Sequence, residues 1–144
     1  EILPLEELSA NDFSAVIFPG GFGAALNLCD FAVKGAECTV EEQAGRVISE
    51  FHQARKPIGV ICIAPVVAAK VLGDHGVELT IGNDVEIAQA IEKMGAVHIQ
   101  KNVDEIHFDI ANRVVSTPAY MLGQNIAEVE AGIFKLVRKI IELC

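Results

Sequence analysis

A chain of 144 residues, 51% hydrophobic and 22% charged, is long enough to build one domain with its own core and suits a compact α/β protein. A net charge of −9 argues against partners such as nucleic acid or anionic membranes, which need a basic patch that the scattered lysines and arginines do not make. No apolar run approaches the ~18 residues that span a bilayer, so no membrane partner is expected.

The cysteines Cys29, Cys38, Cys62 and Cys144 show no C-x-x-C spacing, and His52, His75, His98 and His107 form no H-x-x-x-H pair. Zinc and thioredoxin-like chemistry are therefore not expected, nor is any bound metal or cofactor; reduced thiols in an intracellular protein are.

Residues 1–12 read as a polar lead-in around Pro4, a loop with a short helical turn. The chain opens on Glu1 rather than methionine and soon enters a strand, so it reads as processed or as part of something longer. Ser14 to Phe18 is a continuous apolar strand of the kind buried on both faces of a parallel sheet. It runs into Pro19-Gly20-Gly21-Phe22-Gly23. Three glycines in four residues permit positive φ and leave backbone N–H groups exposed in a concave nest, although a plain turn would read the same way.

Residues 24–37 look irregular. Thr39 with Glu42 fits a capping box, and Val40, Ala44, Val47, Ile48 and Phe51 at helical spacing predict a helix to about Ala54. The stretch that organises the chain follows: Pro57-Ile58-Gly59-Val60-Ile61-Cys62-Ile63-Ala64-Pro65. An apolar strand stops at one cysteine, and an alanine-rich helical pattern begins at once. This is the sequence form of a nucleophile elbow, with the reactive atom beside the first amides of a helix, where a negative charge is favoured. By itself a lone cysteine after a buried strand is more often structural.

Gly73 is a plausible C′ stop for the elbow helix. Leu79-Thr80-Ile81 reads as a short strand. Asn83 with Glu86 fits a cap for the next helix, whose stripe is Ile87, Ala88, Ile91 and Met94, closed by Gly95. Ala96 to Ile99 is a possible strand. Ile106, Phe108 and Ile110 alternate with His107 and Asp109, as in a half-buried edge strand with the polar pair on the wetter face. A turn at Ala111-Asn112 and the strand Arg113 to Ser116 complete a hairpin. Thr117 to Tyr120 is then a loop, and a last helix carries Ile126, Val129, Ile133, Leu136, Val137 and Ile140 on one face.

Strands alternating with helices predict a doubly wound, mostly parallel sheet with an antiparallel hairpin. Sites in such sheets lie beyond the carboxyl ends of the strands, where three loops fall: Pro19 to Gly23, the Cys62 turn, and Thr117 to Tyr120. If they meet, the amides of Gly21 and Ile63 form an oxyanion hole beside a thiolate, which suits addition to a carbonyl.

Four segments, Phe18-Pro19-Gly20-Gly21-Phe22-Gly23-Ala24-Ala25, Ile61-Cys62-Ile63-Ala64-Pro65, Leu79-Thr80-Ile81-Gly82 and Ser116-Thr117-Pro118-Ala119-Tyr120-Met121, resemble the ElbB-type proteins. These belong to the PfpI-like group of the class I glutamine amidotransferase-like superfamily, and the resemblance runs from Phe13 to the C-terminus. It implies a flavodoxin-like α/β sandwich over residues 1–144, lacking the family's first strand-helix portion and the glutamate that portion supplies to the thiol. It implies Cys62 as nucleophile, Gly20, Gly21 and Ile63 around the oxyanion or substrate, and Phe22, Asn83, Pro118 and Tyr120 as pocket lining. It also implies glutathione-independent conversion of glyoxal-type dicarbonyls to hydroxy acids, a small carbonyl metabolite as partner, a homodimer, and a cytoplasmic location in bacteria or a mitochondrial one in eukaryotes. Related enzymes place a histidine after the cysteine or after the following strand, where this chain has Ile63 and Gly82-Asn83. Glutaminase activity is not expected, and slow dicarbonyl turnover is. The alternatives are a redox or stress-response protein with an oxidisable Cys62, and an interaction protein that keeps the elbow as architecture.

Overall fold

The structure is a computed structural model that describes residues 2–144. Its elements follow the apolar pattern of the sequence: β1 (Val16–Phe18), α1 (Phe31–Lys34), α2 (Glu42–Gln53), β2 (Ile58–Ile61), α3 (Pro65–Leu72), β3 (Glu78–Leu79), α4 (Val85–Lys93), β4 (Val97–His98), β5 (His107–Asp109), β6 (Val114–Thr117) and α5 (Ile126–Leu143). Short 3-10 turns occupy Leu5–Glu7 and Ala10–Asp12, and a π-turn occupies Ala24–Leu28.

The main sheet has the order β1-β2-β6-β5. β1, β2 and β6 run parallel, with Phe18 beside Val60 and Ile61 beside Thr117. β5 returns antiparallel against β6, pairing Phe108 with Val115. A separate parallel pair, β3 with β4, is tied to this sheet by side chains: Ser116 Oγ accepts from the Thr80 amide (2.9 Å) and Asp109 Oδ2 from that of Glu78 (2.9 Å).

Helices cover both faces of the sheet. Val47, Ile48 and Phe51 of α2 join Val66, Val67 and Leu72 of α3 in one core, while Leu136 and Ile140 of α5 pack with Ile61 and Val115 in the other. Each such side chain stabilises the fold by about 1.5–3 kcal/mol on leaving water. Gly59 lets α5 lie close: a Cβ there would meet Leu136 Cδ2 and Ile17 Cγ1, both at 3.1 Å. The mostly parallel, doubly wound sandwich with an antiparallel hairpin is thus present.

Several local expectations are corrected. Ile17 is 37% exposed rather than buried, because β1 is the sheet edge and α5 centres over β2 and β6. Glu41, not Thr39, caps α2, its carboxylate accepting from the Ala44 amide at 2.8 Å, while the Thr39 amide donates to Asp30. Asp84, not Asn83, caps α4 by accepting from Ile87. Gly73 has ordinary helical φ, and the left-handed residue after α3 is Gly76 at φ +61°. Gly73 is small for a different reason: a Cβ would fall 1.8 Å from the Met94 carbonyl oxygen. Ile126 is 76% exposed because α5 begins there, beyond the sheet. Asp109 is buried, accepting from the Glu78 and Asn112 amides and from Asn112 Nδ2. Burial pushes its carboxyl up, but these hydrogen bonds outweigh that and hold it below the usual carboxylate range.

Candidate active site

Cys62 stands at the end of β2 with φ +63°, a left-handed conformation that non-glycine residues rarely adopt. Two anchors hold it there. Its own amide donates to the Thr117 carbonyl (3.0 Å) across the sheet, and the Ala64 amide turns back to Ile61 (3.1 Å) to start the helix. A strained residue at a strand-to-helix turn, with a side chain capable of covalent chemistry, is the arrangement of a nucleophile elbow.

The glycine loop after β1 lies against this turn. Gly20 and Gly21 have φ of +86° and +81°, and a Cβ on Gly20 would sit 2.4 Å from the Ile61 carbonyl oxygen and 3.0 Å from Cys62 Cβ. Only glycine fits. Gly21 faces the other way: nothing lies within 4 Å of the place where its Cβ would be. Among the described residues, neither the Gly21 amide nor the Ile63 amide donates a hydrogen bond within the chain. The first amides of α3 are less available than the sequence suggests. Pro65 has no N–H, and those of Val66 and Val67 donate to Ile63 and Ala64. The donors left at the elbow are therefore those of Ile63 and the glycine loop.

Half-buried Cys62 opens onto a cavity of about 330 Å³. Its walls are Phe22, Ala25, Phe31 and Ala32 from the glycine-loop side, and Ile63, Ile87 and Met121 from the elbow, α4 and the turn after β6. Of the residues expected to line it, Phe22 does so, 71% exposed at the rim. Asn83 is exposed before α4, Pro118 is buried near Gly82, and Tyr120 is 62% exposed; none of the three lines the cavity. The 3-10 turn Ala119–Met121 presents Met121 instead of its neighbour. The contributions of Phe31 and Ile87 were hidden in the sequence, where one sat in an irregular stretch and the other in a helical stripe.

The histidines lie elsewhere. His52 is bonded to Asn112 Oδ1 (2.9 Å) and stacks near His75; His107 pairs with Glu78 (2.8 Å). His98 accepts weakly from the Ile81 amide (3.4 Å), and burial lowers its imidazole pKa. Among the described residues the cavity wall therefore carries no histidine, carboxylate or lysine. Among the described residues no cluster of three or more His, Cys, Asp or Glu able to hold a metal occurs, and no helix is long and apolar enough to cross a membrane.

Comparison with known proteins places this geometry. No family model matches. The chain is 49% identical to human glutamine amidotransferase-like class 1 domain-containing protein 3, mitochondrial, over 152 aligned positions that take in 99% of it. It is 47% identical to the rat mitochondrial ES1 protein homologue over the same share. The chain is a homologue of the glutamine amidotransferase-like class 1 domain proteins. It spans 56% of the length of both relatives. An isoprenoid biosynthesis protein with an amidotransferase-like domain from Ehrlichia chaffeensis superposes with a TM-score of 0.87 at 29% identity, covering 96% of this chain and 63% of that one. Drosophila DJ-1beta, at 18% identity and a TM-score of 0.53, covers 99% of this chain and 69% of its own, and shares the fold. The fold is that of the amidotransferase-like, DJ-1/PfpI group.

Proposed function

We propose that the chain carries a cysteine nucleophile for small carbonyl compounds and slowly converts glyoxal-type dicarbonyls to hydroxy acids without glutathione. One observation supports this above the others: Cys62, at φ +63°, faces an apolar cavity beside the uncommitted amides of Gly21 and Ile63. The Cys62 sulfur adds to the aldehyde carbon, and the carbonyl π pair moves onto oxygen, where the two amides stabilise it. The former aldehyde hydrogen leaves as a proton and is delivered to the neighbouring carbon through an enediolate. The product is a thioester of the 2-hydroxy acid, which water cleaves to free the thiol. One water is added overall and no external oxidant or reductant is needed.

With no titratable side chain but Cys62 on the cavity wall among the described residues, water carries the proton, and roughly 10²–10⁴-fold of general acid–base assistance is forgone. That same lack favours a second reading, in which Cys62 is chiefly a peroxide-oxidised thiol passing to the sulfenic acid. Proton NMR of methylglyoxal incubated with the wild type and Cys62→Ser decides between them. Cysteine-dependent lactate formation supports the first. No turnover in either protein, or equal turnover in both, overturns it and leaves peroxide titration to test the second. The names of the human and rat relatives support a mitochondrial location for this chain.

A further inference from the structure

We infer that the Cys62 cavity selects uncharged carbonyl compounds bearing an alkyl or aryl substituent and rejects those bearing a carboxylate; this rests on Cys62 being a carbonyl nucleophile. Apart from Cys62 itself, the side chains that line the cavity are all apolar, with Phe22, Phe31, Ile87 and Met121 the largest. Of the uncommitted amides at the elbow, those of Gly21 and Ile63 are the pair assigned to one developing oxyanion, and the rest of the cavity's lining is almost wholly apolar. A second anionic group on the ligand would enter the cavity without a partner, and an unpaired carboxylate taken out of water is disfavoured strongly.

Size points the same way. At about 330 Å³ the cavity stands at the small end of ligand pockets yet far exceeds what glyoxal fills. An alkyl or aryl arm would occupy the rest and displace water from Phe31, Ile87 and Met121. Phe22 directly follows Gly21, so the open space at Gly21 and an aromatic rim belong to one short loop. A planar aryl ketoaldehyde can place its carbonyl at the amides and its ring by Phe22 together. The chain's net charge of −9 adds a general bias against anions.

The test is peptide-resolved mass spectrometry of Cys62 adducts with methylglyoxal, longer alkylglyoxals, phenylglyoxal and glyoxylate, each equilibrium constant divided by that for N-acetylcysteine. Normalised affinity should rise roughly fourfold per buried methylene, and glyoxylate should fall roughly 10²-fold below methylglyoxal. A flat series, or a preference for glyoxylate, with Cys62 still forming adducts, overturns the selectivity while leaving the nucleophile in place. No adduct with any carbonyl overturns both. Met121→Lys should bring glyoxylate up at least tenfold relative to phenylglyoxal; an unchanged ratio in folded protein counts against the inference. A measurement on the wild type avoids any folding defect: acetophenone should slow iodoacetamide at Cys62 and benzoate should not. Equal protection by both overturns the inference.

Discussion

Replacing Gly20 by alanine tests the elbow's construction, and Gly21→Ala is its control. Both glycines have positive φ, so either substitution costs about 1–2 kcal/mol for placing a Cβ in the left-handed region. Only at Gly20 does the new methyl meet the backbone, 2.4 Å from the Ile61 oxygen and 3.0 Å from Cys62 Cβ. Ile61 is locked in β2 opposite Thr117 and cannot retreat without loosening the ladder. Overpacking of this kind adds about 1–3 kcal/mol. Gly20→Ala should therefore lose about 2–5 kcal/mol, or roughly 5–15 °C in Tm, and Gly21→Ala about a third to a half of that. Urea and thermal unfolding measure the difference, and iodoacetamide at Cys62 reports whether the loop has moved off the thiol. Equal costs for the two, or a Gly20→Ala protein as stable as wild type, would refute the close approach of loop and elbow.

Three further outcomes follow from the same structure. Because Asp109's folded pKa is depressed, its contribution is fully present above the unfolded value of about 3.9 and is lost as pH falls toward the folded one. Asp109→Asn should lose about 2–4 kcal/mol at pH 7, by leaving buried donors unmatched, and should unfold less steeply than wild type below pH 4 in acid titrations followed by circular dichroism. Asp84→Ala should cost about 1 kcal/mol in urea unfolding through the lost α4 cap, and Asn83→Ala close to nothing. In native protein at pH 8, peptide-resolved alkylation should modify Cys62 and exposed Cys144 well before Cys38, whose thiol burial and the neighbouring Cys29 push up to about 11.

The strong features of the sequence carried the architecture. Ile58 to Ile61 stands between a turn and a cysteine, and so large an apolar run has one place to go, the sheet centre. Two of the loops at the strand ends are readable from glycine and proline and the third from the cysteine that ends an apolar strand, and the Gly20 loop does lie on the Cys62 turn. Caps were harder to read. Thr39 and Asn83 each head a good capping pattern, but the chain path put Glu41 and Asp84 at the helix starts, and local patterns do not encode that path. Alternation put Asp109 on the wet side, while the β3–β4 pair needed an acceptor and drew it inward. Cavity walls were the least legible. Phe31, Ile87 and Met121 converge from α1, α4 and the turn after β6, segments far apart in sequence, and each looks like ordinary core taken alone.

The central claim is that Cys62 adds to carbonyls at the elbow. Carbon-13 NMR of the protein with methylglyoxal labelled at the aldehyde carbon tests this most directly. A hemithioacetal resonance present in the wild type and missing from Cys62→Ser is the result expected. The same resonances in both proteins, with label only on Cys144, lysine and arginine, would contradict it.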